Sequence, residues 1–175
     1  MNAAFIPVRG GSKSIPLKNI KKICGMPLVY WTVKAASDCE YIDIVYVATD
    51  SEIIEKAVKG FNLPKVMVIG RSAESASDTA STEFAMLEFA ENYDFDNITL
   101  IQATSPLLTA DDLNKGFELF GEQDTDSVIS AVRQKRFNWQ IDENGFANPT
   151  NYDVFNRPRL SLIHISEPTR PLYIS

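Results

Sequence analysis

Short apolar runs alternate with helix-length amphipathic stretches along this chain, and that alternation restricts its fold more than any other feature. Ala3 to Val8, Ile42 to Ala48, Lys65 to Ile69 and Asn97 to Gln102 read as strands, with Ser127 to Val132 as a fifth. Helices are expected from Pro27, over Ile53 to Phe61, over Thr82 to Asn92, and from Ala110 to near Leu119. Such alternation predicts an α/β fold: a mostly parallel central sheet with helices on both faces. The run from Asn97 is close to fully apolar, as a strand covered on both faces must be.

Local signals refine these elements. Pro27 suits the first turn of a helix. Leu28, Trp31, Thr32 and Ala35 recur at helical spacing, which assigns Trp31 to the core. Thr49-Asp50-Ser51-Glu52 has capping-box spacing. Thr109 is the expected cap of the fourth helix. Asp111 and Asp112 resemble a catalytic pair, but first-turn acids complement the helix dipole, and that structural role is the one expected. Cys24 and Cys39 are expected as small buried hydrophobes in a reducing compartment.

At 175 residues the chain can bury one ordinary core. No run of eighteen apolar residues is present, so no membrane span is expected, and no charged-then-apolar leader is visible. A net charge of −6 argues against nucleic-acid binding. The charge is uneven, however. Arg9, Lys13, Lys18, Lys21, Lys22 and Lys34 all precede the first acid, Asp38. A local anion site is expected from this, with Lys21, Lys22 and Lys34 assigned to solvated surface.

The basic end centres on one loop, where the first strand breaks into Arg9-Gly10-Gly11-Ser12-Lys13-Ser14. Glycines let backbone N–H groups approach an anion, and Arg and Lys add charge-assisted hydrogen bonds. The string is neither a P-loop nor a dinucleotide fingerprint. By itself it also describes a solvated turn. Parallel sheets bind ligands beyond the carboxyl ends of their strands. Asp50, Arg71 and Gln102 to Ser105 follow the second, third and fourth strands at that same edge.

Residues 5 to 32 resemble the opening signature of the acylneuraminate (sialic acid) cytidylyltransferases. The matching pieces are Arg9 to Lys13, Ile15 to Asn19, Gly25 to Leu28, and Trp31. The resemblance implies a Rossmann-like nucleotidyltransferase fold, CTP and a nonulosonic (sialic) acid as substrates, Mg²⁺ as cofactor, a homodimer, and a cytoplasmic location. By it, Arg9 and Lys13 are the expected catalytic residues, holding the triphosphate. Gly10, Gly11 and Ser12 would supply donors to it. Asn19, Arg71, Asp78, Ser81 and Thr82 would recognise the nucleotide. Gln102 would face the sugar, and Arg159 would open a set of late basic residues. Structural roles stay open beside these: a turn for Asn19, helix caps for Asp78 and Ser81, satisfied buried backbone for Gln102.

From Arg133 the pattern changes. Arg133, Lys135 and Arg136 precede Phe137 and Trp139, and Asp142-Glu143-Asn144-Gly145 is a hairpin turn signal. The resemblance assigns this region to the dimer interface; otherwise it is a surface excursion whose aromatics pack on the core. The family pattern runs to Asn156-Arg157-Pro158-Arg159. Leu160 to Ser175, which includes the sole histidine, His164, departs from it and resembles translated sequencing-adapter read-through. The expectation is a cytidylyltransferase domain over 1–159, incomplete at its C-terminus, with a non-native tail over 160–175. The late aspartates that help hold Mg²⁺ in the family have no counterpart, so the metal ligands stay unassigned. A CTP-binding module without turnover, or an enzyme for pseudaminate, legionaminate or Kdo, are the alternatives; Kdo enzymes match the loop less well.

Overall fold

The computed structural model describes residues 1–11, 15–77, 79–122, 125–134, 136–156 and 165–168. Its strands and helices divide into two compact units, one over residues 1–129 and a second that begins at Ser130.

In the first unit, β1 (Asn2–Pro7) leads through a 3-10 turn (Lys18–Ile20) to a small hairpin of β2 (Lys22–Ile23) and β3 (Met26–Pro27). Then come α1 (Leu28–Asp38), β4 (Ile44–Thr49), α2 (Glu52–Lys59), β5 (Val66–Gly70), α3 (Thr82–Asn92), β6 (Asn97–Leu100) and α4 (Ala110–Phe120). The hairpin is an addition to the elements expected from sequence. Cys24 and Gly25 form its turn with φ of 49° and 85°, the left-handed pair that a two-residue hairpin demands. Cys24 is therefore exposed, against expectation, while Cys39 is buried with its Sγ 3.0 Å from Asn114 Oδ1. Trp31 is half-buried, and its Nε1 donates to the Ile23 carbonyl at 3.1 Å. It braces the hairpin against α1 more than it fills the core.

The sheet has the order β5-β4-β1-β6, parallel throughout. Side chains alternate across it, and each set meets its own helices. Ala4, Ile6, Val8, Val45 and Val47 face Val29 and Val33 of α1, Ile54 and Val58 of α2, and Leu113 and Phe117 of α4. Ala3, Phe5, Tyr46, Ala48, Ile98 and Leu100 face Ala85 and Phe89 of α3. There Phe5 and Phe89 stack with ring centroids 4.8 Å apart. β1 lies inside both layers, which is why Ala3 to Ile6 are all buried and all apolar. Successive strands β1, β4 and β5 step one way, and β6 returns to the other side of β1. The direction of winding thus reverses between β1 and β6, and such a reversal opens a crevice beyond the strand ends.

Two local expectations change. Helix α2 is capped at Ser51 without a side-chain bond; Thr49 Oγ1 instead accepts from Ser51 N at 3.2 Å. The capping box appears at α4, where Thr109 Oγ1 accepts from Asp112 N and Asp112 Oδ2 accepts from Thr109 N. Asp111 pairs with Lys115. Both acids therefore have the structural role assigned to them. The fifth strand also differs: β7 covers Ala131–Gln134 and does not join the four-stranded sheet.

In the second unit, β7 pairs antiparallel with β10 (Ile165–Pro168). Between them β8 (Trp139–Ile141) and β9 (Ala147–Pro149) form the expected hairpin. Asp142 closes it, accepting from Asn144 N and Phe146 N at 2.9 Å each, and Gly145 takes a φ of 84°. Phe137 and Trp139 both meet Tyr152 edge-on.

Candidate active site

β1 delivers Arg9 and the two glycines to the carboxyl edge of the sheet. The β1–β4 ladder extends one step beyond the strand, with Val8 N donating to Ala48 O at 2.8 Å. The peptide joining Arg9 to Gly10 is then gripped at both ends. Asn19 Nδ2 donates to the Arg9 carbonyl at 3.2 Å. Gly10 N donates to Asp50 Oδ1 at 2.7 Å. Asn19 is buried, at 7% exposure, in the short 3-10 turn. Its amide thus has a loop-shaping role that geometry alone accounts for.

Gly10 is required by crowding. A Cβ there would lie 2.8 Å from Ser51 Cβ, closer than two carbons can approach, whereas a Cβ on Gly11 would have no neighbour within 4 Å among the described residues. The two glycines therefore differ: the first is wedged against the β4–α2 turn, and the second is open to whatever the loop faces.

Arg9 reaches across to the segment between β5 and α3, its Nη1 donating to the Ser77 carbonyl at 3.4 Å. Arg71 lies on the same segment. Its Nε donates to Ser75 Oγ at 3.4 Å and its Nη2 to the Ser75 carbonyl. Burial lowers the Arg71 pKa, Asp50 and Glu88 oppose that shift, and Arg9 adds to it. Both guanidiniums therefore donate to the same short segment, Arg9 to the Ser77 carbonyl and Arg71 to Ser75, which brings two cations to one side of the carboxyl edge, where an anion would meet charge-assisted donors.

Glu88 comes from α3, and Ser72 N donates to its Oε1 at 3.1 Å. Burial raises its pKa, but hydrogen bonds from Ser75 and Ser72 and the charge of Arg71 outweigh burial, and the net shift is downward. A cleft of about 350 Å³ lies alongside, with Arg71, Ser72, Glu88 and Asn92 on its wall and Phe5 and Phe89 in its floor. Ser81 caps α3, accepting from Phe84 N at 3.1 Å, and Thr82 is the first helical residue. Gln102 follows β6, after Ile101 N donates to Phe5 O at 3.0 Å. It therefore stands beside the end of β1 at the point where the winding reverses.

Arg9, Gly10, Gly11, Asn19, Arg71, Ser81, Thr82 and Gln102 thus all lie in loops or helix starts at the carboxyl edge of the sheet. Ser12, Lys13, Asp78 and Arg159 lie outside the described residues. Sequence reasoning missed Glu88, the Ser75 hydroxyl and carbonyl that seat Arg71, and the Ser77 carbonyl that takes Arg9. It noted Asp50 only by position and as part of a helix cap. The serine-rich run before α3 was the available signal, since loop hydroxyls and carbonyls suit guanidinium donors.

The family model for cytidylyltransferases matches residues 3–153. The N-acylneuraminate cytidylyltransferase of Oncorhynchus mykiss is 43% identical over 161 residues, covering 90% of this chain and 37% of that protein. The pseudaminic acid cytidylyltransferase of Campylobacter jejuni is 33% identical over 153 residues, covering 86% of this chain and 65% of that one. This chain therefore spans little more than a third of the vertebrate relative. Among solved structures, a CMP:2-keto-3-deoxy-manno-octonic acid synthetase complexed with CTP superposes with a TM-score of 0.69 at 17% identity, over 99% of this chain and 73% of that one. That likeness is one of fold.

Proposed function

This chain belongs to the cytidylyltransferase family, and from that premise we propose that it binds CTP and joins its cytidylyl group to a nonulosonic acid, giving a CMP-sugar and pyrophosphate. The observation that supports this most is that Arg9, from the first strand's loop, and Arg71, after the third strand, both donate to one segment at the carboxyl edge of the sheet, Arg9 to the Ser77 carbonyl and Arg71 to Ser75.

The chemistry follows from charge. The anomeric hydroxyl oxygen of the sugar acid attacks the α-phosphorus of CTP. The bond from that phosphorus to the bridging oxygen of the β-phosphate breaks, pyrophosphate carries the electron pair away, and the hydroxyl proton passes to solvent. Negative charge grows on the leaving group, so positioned cations are what the protein must supply. In this proposal Arg9 and Lys13 hold the triphosphate, and Gly11 and Ser12 offer it donors. Asn19 keeps the loop in shape. Arg71, Asp78, Ser81 and Thr82 contact the nucleoside, Gln102 the sugar, and Arg159 its carboxylate.

We assign Mg²⁺ to the substrate complex, carried on the phosphates of CTP. Among the described residues no group of three or more His, Cys, Asp or Glu side chains converges to hold a metal ion. Those residues do not by themselves fit a metal site. The second unit supports a homodimer: Trp139 and Ile141, on one face of β8, are 54% and 71% exposed. No helix among the described residues is long and apolar enough to cross a membrane. The cytoplasm, where CTP is made, is the compartment we assign.

Relatives named for two different sugar acids match this chain, so the acyl sugar is decided by assay. Calorimetric titration with CTP, beside a pyrophosphate-release assay with Mg²⁺ and N-acetylneuraminate, pseudaminate, legionaminate or Kdo, tests the proposal. Release with one sugar acid supports it. CTP binding without release of pyrophosphate from any of them would leave a binding module. No binding of CTP would overturn it.

A further inference from the structure

The phosphate loop owes its shape to a carboxylate that no phosphate needs. Asp50 follows β4, and its Oδ1 accepts the Gly10 amide at 2.7 Å. Three contacts fix the turn that carries it. Val8 N donates to Ala48 O just before it. Thr49 Oγ1 takes the Ser51 amide at 3.2 Å just behind it. Gly10 itself fits against Ser51 Cβ with no room for a side chain. The other end of the same peptide is held by Asn19 at 3.2 Å. Rotation of the Arg9–Gly10 peptide would break both bonds at once, so its plane is set by two side chains from separate elements.

An acid beside a loop built for a polyanion is electrostatically unfavourable unless it does something the loop requires. Asp50 also acts as a counter-charge to Arg71. We propose that Asp50 is a positioning residue for nucleotide binding: by holding the Gly10 N–H it fixes the Arg9–Gly10 peptide, keeps that amide out of the anion's reach, and sets the direction in which the loop presents Arg9 and Gly11 to the triphosphate. This rests on the CTP-binding function proposed above. The role belongs to the acceptor oxygen more than to the negative charge. An asparagine at this position would keep an acceptor in place, and an alanine would not.

The test compares the unsubstituted chain with Asp50→Asn and Asp50→Ala by two independent measurements. Asp50 is exposed, so neither change disturbs the core. The first measurement is the Gly10 amide in a proton–nitrogen correlation spectrum with hydrogen exchange. Protection is expected in the unsubstituted chain and in Asp50→Asn, with loss in Asp50→Ala. The second is CTP affinity by calorimetry. Asp50→Ala is expected to weaken binding about tenfold or more, and Asp50→Asn by less than about threefold. An Asp50→Ala variant that binds CTP as tightly as the parent overturns the proposal while the proposed function stands. Equal damage from both substitutions also overturns it, because charge and not the acceptor would then be at work. Failure of the unsubstituted chain to bind CTP refutes the proposed function instead; the Gly10 amide then decides by itself whether Asp50 holds the loop.

Discussion

Ser51 closes the space beside Gly10: a methyl group on that glycine would lie 2.8 Å from Ser51 Cβ. Gly10→Ala must therefore push the β1 loop away from the β4–α2 turn and lengthen the bond to Asp50. A binding loss of about tenfold for CTP is expected, the scale of one charged hydrogen bond. Gly11→Ala meets no described residue within 4 Å and is expected to change affinity by less than about threefold, a backbone-freedom effect alone. Titration of the two variants side by side checks this. Equal losses would mean that both glycines serve backbone approach to the ligand and that crowding at Ser51 is irrelevant.

Arg9 reaches the β5–α3 segment at Ser77, and Arg71 donates to the same segment at Ser75, so the two cations bring their charge to one stretch of chain. Replacing Arg9 by alanine removes charge that the triphosphate would meet. A hydrogen bond to a charged group contributes roughly 1.5–3 kcal/mol, so Arg9→Ala should weaken CTP binding by about ten- to a hundred-fold. Lysine at the same place should recover part of this, since it restores charge without the guanidinium fork. An effect below about twofold would remove Arg9 from the binding site.

The order of the four strands of the parallel sheet and of the helices between them was legible from sequence because β1, β4 and β6 are apolar enough to be buried, whereas β2, exposed in its hairpin with β3, carries no such signal. Ala3 to Ile6 and Val45 to Ala48 are examples, buried in the structure as their composition requires. What sequence could not supply was the partner of each polar group. Thr49-Asp50-Ser51-Glu52 has the letters of a capping box, yet Asp50 is drawn to Gly10, forty positions away, and α2 has no side-chain cap bond, whereas the cap expected at Thr109 does form, as a capping box. Nothing local distinguishes the two strings. Ser127 to Val132 failed for another reason. A short apolar run specifies a strand but not the sheet it joins, and β7 pairs with Ile165–Pro168. At the site, the arginines were legible as cations, but nothing in the serine-rich segment before α3 announced which of its carbonyls and hydroxyls would seat them.

The cap at Thr109 makes a prediction in pH. Thr109 Oγ1 donates to Asp112 Oδ2 at 2.7 Å and receives the Asp112 amide at 3.2 Å. The hydroxyl bond, with a second from the Thr109 amide, holds the Asp112 carboxyl below the usual aspartate range; burial opposes them and Lys115 assists. A carboxyl whose folded pKa is depressed adds stability above its unfolded pKa and loses it as pH falls through the folded value. Thr109→Ala should cost about 1 kcal/mol near neutrality, the ordinary worth of an N-cap. Asp112→Asn should flatten the acid limb of the stability curve. Urea unfolding of both variants from pH 7 down to about pH 3 measures this. An acid limb unchanged in Asp112→Asn would show that the capping box is not titrating.

Thr99 carries the last prediction, because its hydroxyl works against the fold. It lies in β6 at 1% exposure, and its Oγ1 is the buried side-chain polar atom that finds no hydrogen-bond partner among the described residues. By strand alternation it shares a face with Ile101, on the side of the sheet covered by α1, α2 and α4. A buried hydroxyl without a partner costs about 1–3 kcal/mol, and valine fills the same shape without that cost while keeping the β-branch a strand favours. Thr99→Val should therefore stabilise the chain by about 1 kcal/mol, seen as a higher urea midpoint at unchanged slope. Thr99→Ala should destabilise by a similar amount, since it removes the methyl group as well and leaves a cavity. Thr99→Val less stable than the parent would mean that the hydroxyl has a partner, and that β6 is held on that face by a polar contact as well as by packing.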